Sequence, residues 1–193
     1  FDMKVGMLMK IVVGVSGGSG AIYAISLLKA LEELNIETHL VVSTMGEYVM
    51  EHETGVSLEE LKALATHFHD NKNFAAPIAS GSFKVDGMVV LPCSMKTLAS
   101  VAHGFSDNLL TRACDVSIKE NRKLILVPRE TPLSPIHLEN MLKLSQMGVT
   151  IFPPSPGFYS HPETLEDIVL NMTGRILDML GVDNNLVNRW QGL

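Results

Sequence analysis

KIVVGVSGGSGAIYAISLLKALEEL, Lys10 to Leu34, is the stretch whose reading decides the fold. Ile11-Val12-Val13 is a short β-branched run and reads as a buried strand. Gly14, Gly17, Gly18 and Gly20 follow, with Ser16 and Ser19 between them. Ile22, Ile25, Leu28 and Leu31 then recur at helical spacing. A strand that feeds a helix through glycines gathers free backbone N–H groups and the positive end of a helix dipole at one point, which suits a phosphate. Glycine lets the backbone approach such a group closely, and Ser16 and Ser19 add hydroxyl donors. The stretch lacks the Gly-Lys-Ser/Thr ending of a P-loop and the G-x-G-x-x-G spacing of a dinucleotide fingerprint. A glycine turn that merely packs tightly is the other reading of these residues.

Working outward, the 193 residues suit one α/β domain with a full core. The chain is 46% hydrophobic with 11 Met, which fits buried parallel strands or extensive subunit contacts. Its net charge of −6, with no basic run, argues against a nucleic-acid partner. Cys93 and Cys114 have no C-x-x-C spacing and read as reduced thiols of a cytoplasmic protein. No segment reaches the roughly 20 apolar residues of a membrane span. Lys4 and Lys10 beside apolar residues imitate a secretory signal, but the glycines interrupt the apolar run. Residues 1–9 are set aside as a cloning remnant or an uncertain start, and residues 10–193 are read as the single domain.

Strands are expected at Thr38–Ser43, Val85–Leu91, Lys123–Val127 and Val149–Phe152. Helices are expected after Met45, closed by Gly55; from the capping box at Ser57–Glu60; at Thr97–Ala102; at Asp107–Asn121, capped by Asp107; from Ser134-Pro135; and at Thr164–Leu180, closed by Gly181. His67–Phe83 is polar, carries Pro77 and Gly81, and reads as a long loop. Alternating strands and helices call for an α/β fold, a Rossmann-like parallel sheet with helices on both faces. Ligands of such sheets sit at the carboxyl ends of the strands, near a topological switch point. Here each strand end carries chemistry: Ser16–Ser19, Ser43, Cys93-Ser94, Arg129-Glu130 and Phe158-Tyr159.

Three motifs are more specific: GVSGGSGA from Gly14, LPCSMKTLA from Leu91 and LVPRETPLSPIHLENMLKL from Leu126. With PGFY at Pro156–Tyr159 and NRW at Asn188–Trp190, they resemble the UbiX-type flavin prenyltransferases from about Lys10 to Trp190. Gly18 is a departure, since the family often has alanine there. The resemblance implies a flavodoxin-like subunit of a homo-dodecamer that binds FMN and dimethylallyl phosphate. It implies transfer of the prenyl group to N5 and C6 of reduced FMN without a metal, and delivery of prenylated FMN to a UbiD-type decarboxylase.

Each site residue has a plain reading beside the implied one. Gly17, Gly18 and Ser19 match the family's FMN-contacting turn. Ser43 reads as a helix cap, and Ser94, Met95, Lys96 and Thr97 as a capped helix start; the resemblance makes them flavin contacts. Arg112 and Lys119 stand two turns apart on one helix face, solvated by the plain reading; the resemblance assigns both to the prenyl phosphate. Arg129 follows a strand end where a guanidinium can hold phosphate, and is implied to touch FMN and prenyl phosphate. Glu130 is an ion-pair partner or a group near the reacting centre. Tyr159 and Arg175 match a prenyl-phosphate clamp, although Arg175 alone reads as a surface charge. Trp190 is a core or interface anchor, implied to border the prenyl site from an adjoining subunit. Glu53 is an ordinary exposed carboxylate by itself, and with Ser19 a proton-transfer candidate by resemblance. The catalytic set is therefore Ser19, Glu53, Lys119 and Glu130.

The histidines, scattered at 52, 103, 137 and 161 with His67 and His69 in the polar stretch, do not read as a metal set. His137 reads as structural, orienting the Arg129-Glu130 turn. Two other functions share these features. A flavin-dependent cysteine decarboxylase of the phosphopantothenoyl type would give Cys114 or His103 a role. A non-catalytic FMN carrier would bind flavin without turnover.

Overall fold

Strand residues alternate between two cores, as a sheet buried on both faces requires. Ile11, Val13, Leu40, Val89, Leu91 and Ile125 go to one side, and Val12, Val41, Val90, Leu124 and Leu126 to the other. The computed structural model describes residues 9–187 and 189–192. Phe1–Leu8, Leu193 and Asn188, the last of these part of the closing motif, lie outside them. Met9, set aside above, packs against the first core and accepts the Glu37 N–H at 2.9 Å.

The strands are β1 (Lys10–Val15), β2 (Glu37–Val42), β3 (His67–Asp70), β4 (Gly87–Cys93), β5 (Lys123–Pro128) and β6 (Thr150–Ile151). All their pairings are parallel, in the order β3-β2-β1-β4-β5-β6. This is the doubly wound Rossmann order, and its switch point lies between β1 and β4. The helices are α1 (Ala21–Glu33), α2 (Thr44–Thr54), α3 (Leu58–Ala63), α4 (Met95–Ala102), α5 (Leu109–Lys119), α6 (Pro135–Gln146) and α7 (Leu165–Leu180). α1 and α7 cover the first face with Leu27, Leu28, Ile176 and Leu177; α4, α5 and α6 cover the second with Leu98, Leu110 and Leu144. Burying such a side chain is worth roughly 1.5–3 kcal/mol. Among the described residues no helix is long and apolar enough to cross a membrane.

Three sequence expectations change. His67–Asp70 is not loop but the edge strand β3. It pairs only with β2, so it needs neither an apolar run nor alternation, and its His-Phe-His-Asp sequence hides it. α5 is capped by Asn108, whose side chain accepts the Thr111 N–H, and not by Asp107, which bonds Asn108 instead. The last strand shrinks to Thr150–Ile151 because only Ile125 and Leu126 face it.

α2 is pressed onto the end of β1. A Cβ on Gly46 would lie 2.6 Å from the Val15 carbonyl oxygen, which is backbone and has no room to yield. Gly46→Ala is therefore expected to cost about 1–3 kcal/mol, read as a lower urea midpoint with an unchanged slope.

Candidate active site

β1, β2 and β4 end at one rim, and a cavity of about 840 Å³ opens there. Gly17 lines it from β1, Ser43–Met45 from the start of α2, and Ser94, Lys96 and Thr97 from the start of α4. The volume is that of a site for a sizeable organic ligand. Gly17 lets the turn lie against α2, since a Cβ there would be 2.5 Å from Met45 Cβ. At Gly18 a Cβ would sit 3.3 Å from Pro92 Cβ, a tight fit that small shifts relieve. Alanine is thus the one larger residue this position approaches accepting.

Ser43 and Ser94 are helix caps and cavity walls at once. Ser43 Oγ accepts the Gly46 N–H at 3.0 Å, and Ser94 Oγ accepts the Thr97 N–H at 3.2 Å. Two helix N-termini therefore face the cavity and favour a negative group. Met95 instead packs against the second core. Ser16 offers no donor to a ligand. Its buried hydroxyl donates to the Pro92 carbonyl at 3.0 Å and accepts the Ser94 N–H at 2.8 Å.

The N-terminus of α1 departs from the phosphate reading. Its cap, Gly20, has φ +107° and no side chain to offer. The Glu53 carboxylate, from the last turn of α2, accepts the Gly20 and Ala21 N–H groups at 2.9 and 3.1 Å. The donors that sequence offers to phosphate are held by an acid of this chain. Burial alone would raise the Glu53 carboxyl. Hydrogen bonds from Ser19, Gly20 and Ala21, with the charge of Arg129, outweigh it and hold the group below the ordinary carboxylate range. Ser19 and the Arg129 charge thus both act on Glu53. Glu130, next along, is exposed and accepts the Thr131 N–H at 3.0 Å.

The remaining candidates fall into two further groups. Tyr159 meets Trp190 edge to face, ring centroids 5.8 Å apart. Arg189 grips Asp178 at 2.9 and 3.1 Å, and Arg175 reaches the same carboxylate at 3.6 Å. That ladder fixes the tail carrying Trp190 beside Arg175. Arg112 and Lys119 do share a helix face, but it lies along residues 79–81. Arg112 donates to the Ala79 carbonyl and to Asp115 at 3.2 and 2.8 Å. Lys119 pairs with Glu120 and lies 2.7 Å from where a Gly81 Cβ would be. Because α5 starts at the cavity with Leu110 and Thr111 and runs back toward the start of β5, Lys119 ends at the opposite rim. Ten residues of helix separate the two by about 15 Å. A single chain does not bring Lys119 to Ser19 and Arg129.

Sequence reasoning missed the wall formed by Asp70, Asn71, Lys72 and Phe74. The exposed aromatic Phe74 in a polar stretch was its one signal. Asn71 ties this wall to α5, its carbonyl and side-chain oxygens accepting the Leu109 and Leu110 N–H groups at 2.8 and 2.9 Å. Cys93 and Cys114 are buried, and burial pushes the Cys93 thiol up to about 12 and the Cys114 thiol also well up. Neither is a ready thiolate. His103 caps the far end of α4, its Nδ1 2.9 Å from the Ala99 carbonyl oxygen. The features that a cysteine decarboxylase would use are thus remote or inert. His137 is structural, as expected, but through α6: its Nδ1 accepts the Ser134 N–H at 3.2 Å in a capping box.

The flavoprotein family matches residues 7–177. The chain is 53% identical over 186 residues to a probable UbiX-like flavin prenyltransferase of Escherichia coli O157:H7, covering 96% of this chain and 94% of that one. AnUbiX (PadA1), solved in complex with FMN and dimethylallyl pyrophosphate, superposes with a TM-score of 0.95 at 46% identity, over 97% of this chain and all (100%) of that one. A dodecameric FMN-dependent UbiX-like decarboxylase from Escherichia coli O157:H7 does so with a TM-score of 0.93 at 53% identity, over 95% and 100% of the two chains. With its rim cavity, capped helix starts and near-complete likeness, this chain belongs to the UbiX-type flavin prenyltransferases of the flavoprotein family.

Proposed function

We propose that the chain takes reduced FMN into the rim cavity and joins to its N5 and C6 the dimethylallyl group of dimethylallyl phosphate. The observation that carries this reading is the cavity faced by the two serine-capped helix starts, with Gly17 on its wall and Glu53 holding the glycine turn's next N–H groups. The flavin supplies the electron-rich ring; the chain supplies position and charge. Gly17, Gly18, Ser43, Ser94, Lys96 and Thr97 are the binding wall, with Met95 bracing α4 behind it. Arg129 neutralises charge on the leaving phosphate as its C–O bond breaks. Tyr159, Trp190 and Arg175 form an aromatic and cationic flank that keeps water from an allylic cation. Bond formation at N5 and C6 displaces two ring protons, and the second bond needs one proton placed on the prenyl alkene carbon. Glu53, held ionised, takes protons through the Ser19 hydroxyl and returns that one, with Glu130 at the edge of the same space. The product suits a separate UbiD-type decarboxylase. Two buried free thiols favour a reducing compartment, and we assign the chain to the cytoplasm.

Lys119 fits this chemistry only in another copy's site. α6 presents Ile136, Leu138 and Leu142 at 67%, 52% and 60% exposure, an apolar face that a homo-oligomer would cover. A closed assembly, a dodecamer like that of the similar Escherichia coli protein, brings one chain's far rim against a neighbour's cavity. Lys119, with Arg112 one face along, then completes the phosphate end.

Anaerobic incubation with reduced FMN and dimethylallyl phosphate is expected to yield a flavin heavier by one five-carbon unit in the mass spectrum. A flavin of unchanged mass overturns the function. Glu53→Gln is expected to lower that yield about a hundredfold or more while FMN binding persists, whereas a carrier would show no such dependence.

The depressed Glu53 pKa also fixes a sign. Its help to the α1 terminus is complete above the unfolded value of about 4.3 and is lost as pH falls through the lower folded value. The stability gap between the parent chain and Glu53→Gln should be constant near neutrality and vanish in acid. A gap that opened in acid would refute the assignment.

Co-expressing Glu53→Gln with Lys119→Ala, each inactive alone, should restore about a quarter of the parental rate, because half of each chain type completes a mixed site. No restoration would place Lys119 outside the site.

A further inference from the structure

The β2–β3 edge carries a cluster that the flavin chemistry does not use. Glu37 and His39 lie on β2, and His67 and His69 stand opposite on β3. His39 is buried, and its Nε2 is 3.0 Å from Glu37 Oε1. His67 Nε2 is 3.6 Å from the same oxygen. The ligand atoms of Glu37, His39 and His67 all lie within 4.8 Å of one another. The histidines that read as scattered along the sequence are gathered here, because the edge strand β3 brings His67 and His69 beside His39.

We propose that Glu37, His39 and His67 form a binding site for a divalent transition metal of the zinc type, with water completing the shell. A tetrahedral ion with bonds of about 2.0–2.1 Å sets its ligands roughly 3.3 Å apart. The separations of 3.0 and 3.6 Å bracket that value. Two imidazoles and one carboxylate suit Zn²⁺ and its borderline neighbours over Mg²⁺ or Ca²⁺.

His69 supplies the outer support that metal-bound imidazoles need. Its Nε2 is 2.9 Å from His39 Nδ1. Without metal, His39 Nε2–H donates to Glu37, and His69 Nε2–H donates to His39 Nδ1. With metal, His39 Nε2 turns its lone pair to the ion, and its Nδ1–H donates to His69. One contact serves both tautomers with the proton reversed.

Lys10 is the one opposing group in contact with the cluster among the described residues. Its ammonium stands 3.1 Å from Glu37 Oε1, where it takes the place of a cation. It also lies 5.3 Å from the centre of the Phe83 ring, so it has an alternative seat when displaced. The site is thus reversible, with Lys10 and the metal competing for one carboxylate oxygen.

Co²⁺ titration of the untagged full chain tests this. The parent should show the intense visible absorption of tetrahedral Co²⁺ at one equivalent per chain, displaced by Zn²⁺. His67→Ala, on the exposed edge, and Glu37→Gln should abolish it. Lys10→Met should bind about tenfold tighter or more, a gain that no folding defect imitates. A parent spectrum that stays that of hydrated Co²⁺, an unchanged band in His67→Ala, or unaltered affinity in Lys10→Met overturns the proposal.

Discussion

Parallel strands diverge at their carboxyl ends, and here one buried hydroxyl limits how far. Ser16 closes β1 against β4 at the switch point, donating to Pro92 and accepting from Ser94. The same residue's N–H reaches the Pro92 carbonyl at 3.2 Å. These bonds set the start of α4 against the glycine turn, so the two capped helix starts face one space. A polar group 1% exposed would be costly if unpaired. Its saturation fixes the geometry of the rim.

With the rim fixed, charge decides which of its helix ends can take an anion. α1 offers the most obvious N-terminus, but Glu53 already holds its first donors. A phosphate there would meet a carboxylate. α2 and α4 spend only one N–H each on their own serine caps, leaving other donors toward the cavity. The glycine turn therefore serves less as a phosphate cradle than as the seat of an acid. That acid is kept ionised by the backbone that seats it.

Most of the fold was legible because both faces of the sheet are buried. Apolar runs such as Leu124–Val127 then announce themselves, and glycine stops mark Gly55 and Gly181 correctly. β3 was not legible, since an edge strand with one partner carries no such run. The same gap concealed part of the cavity wall and the histidine cluster, because both depend on what β3 brings beside β2. Within the site, Ser43 and Ser94 were readable as caps from residue type alone. The Glu53 contact with α1 was not, being a pairing across 33 residues that no local pattern encodes.

The polarity of the fold carries one more consequence. In a parallel sheet every helix that leaves the ligand rim must deliver its last residues to the other end. α5 begins against the cavity at Leu110 and ends at Lys119. Spacing along one helix thus guarantees that two residues share a face, and equally that they do not share a site much smaller than the helix. A charge at such a far end has either a structural partner or a second chain to serve. Glu120 is a weak structural partner for Lys119, because the pair is exposed and screened. The apolar face of α6 supplies the reason for a second chain to be present. On the function proposed above, the protomer is a complete fold whose reaction waits on a second chain.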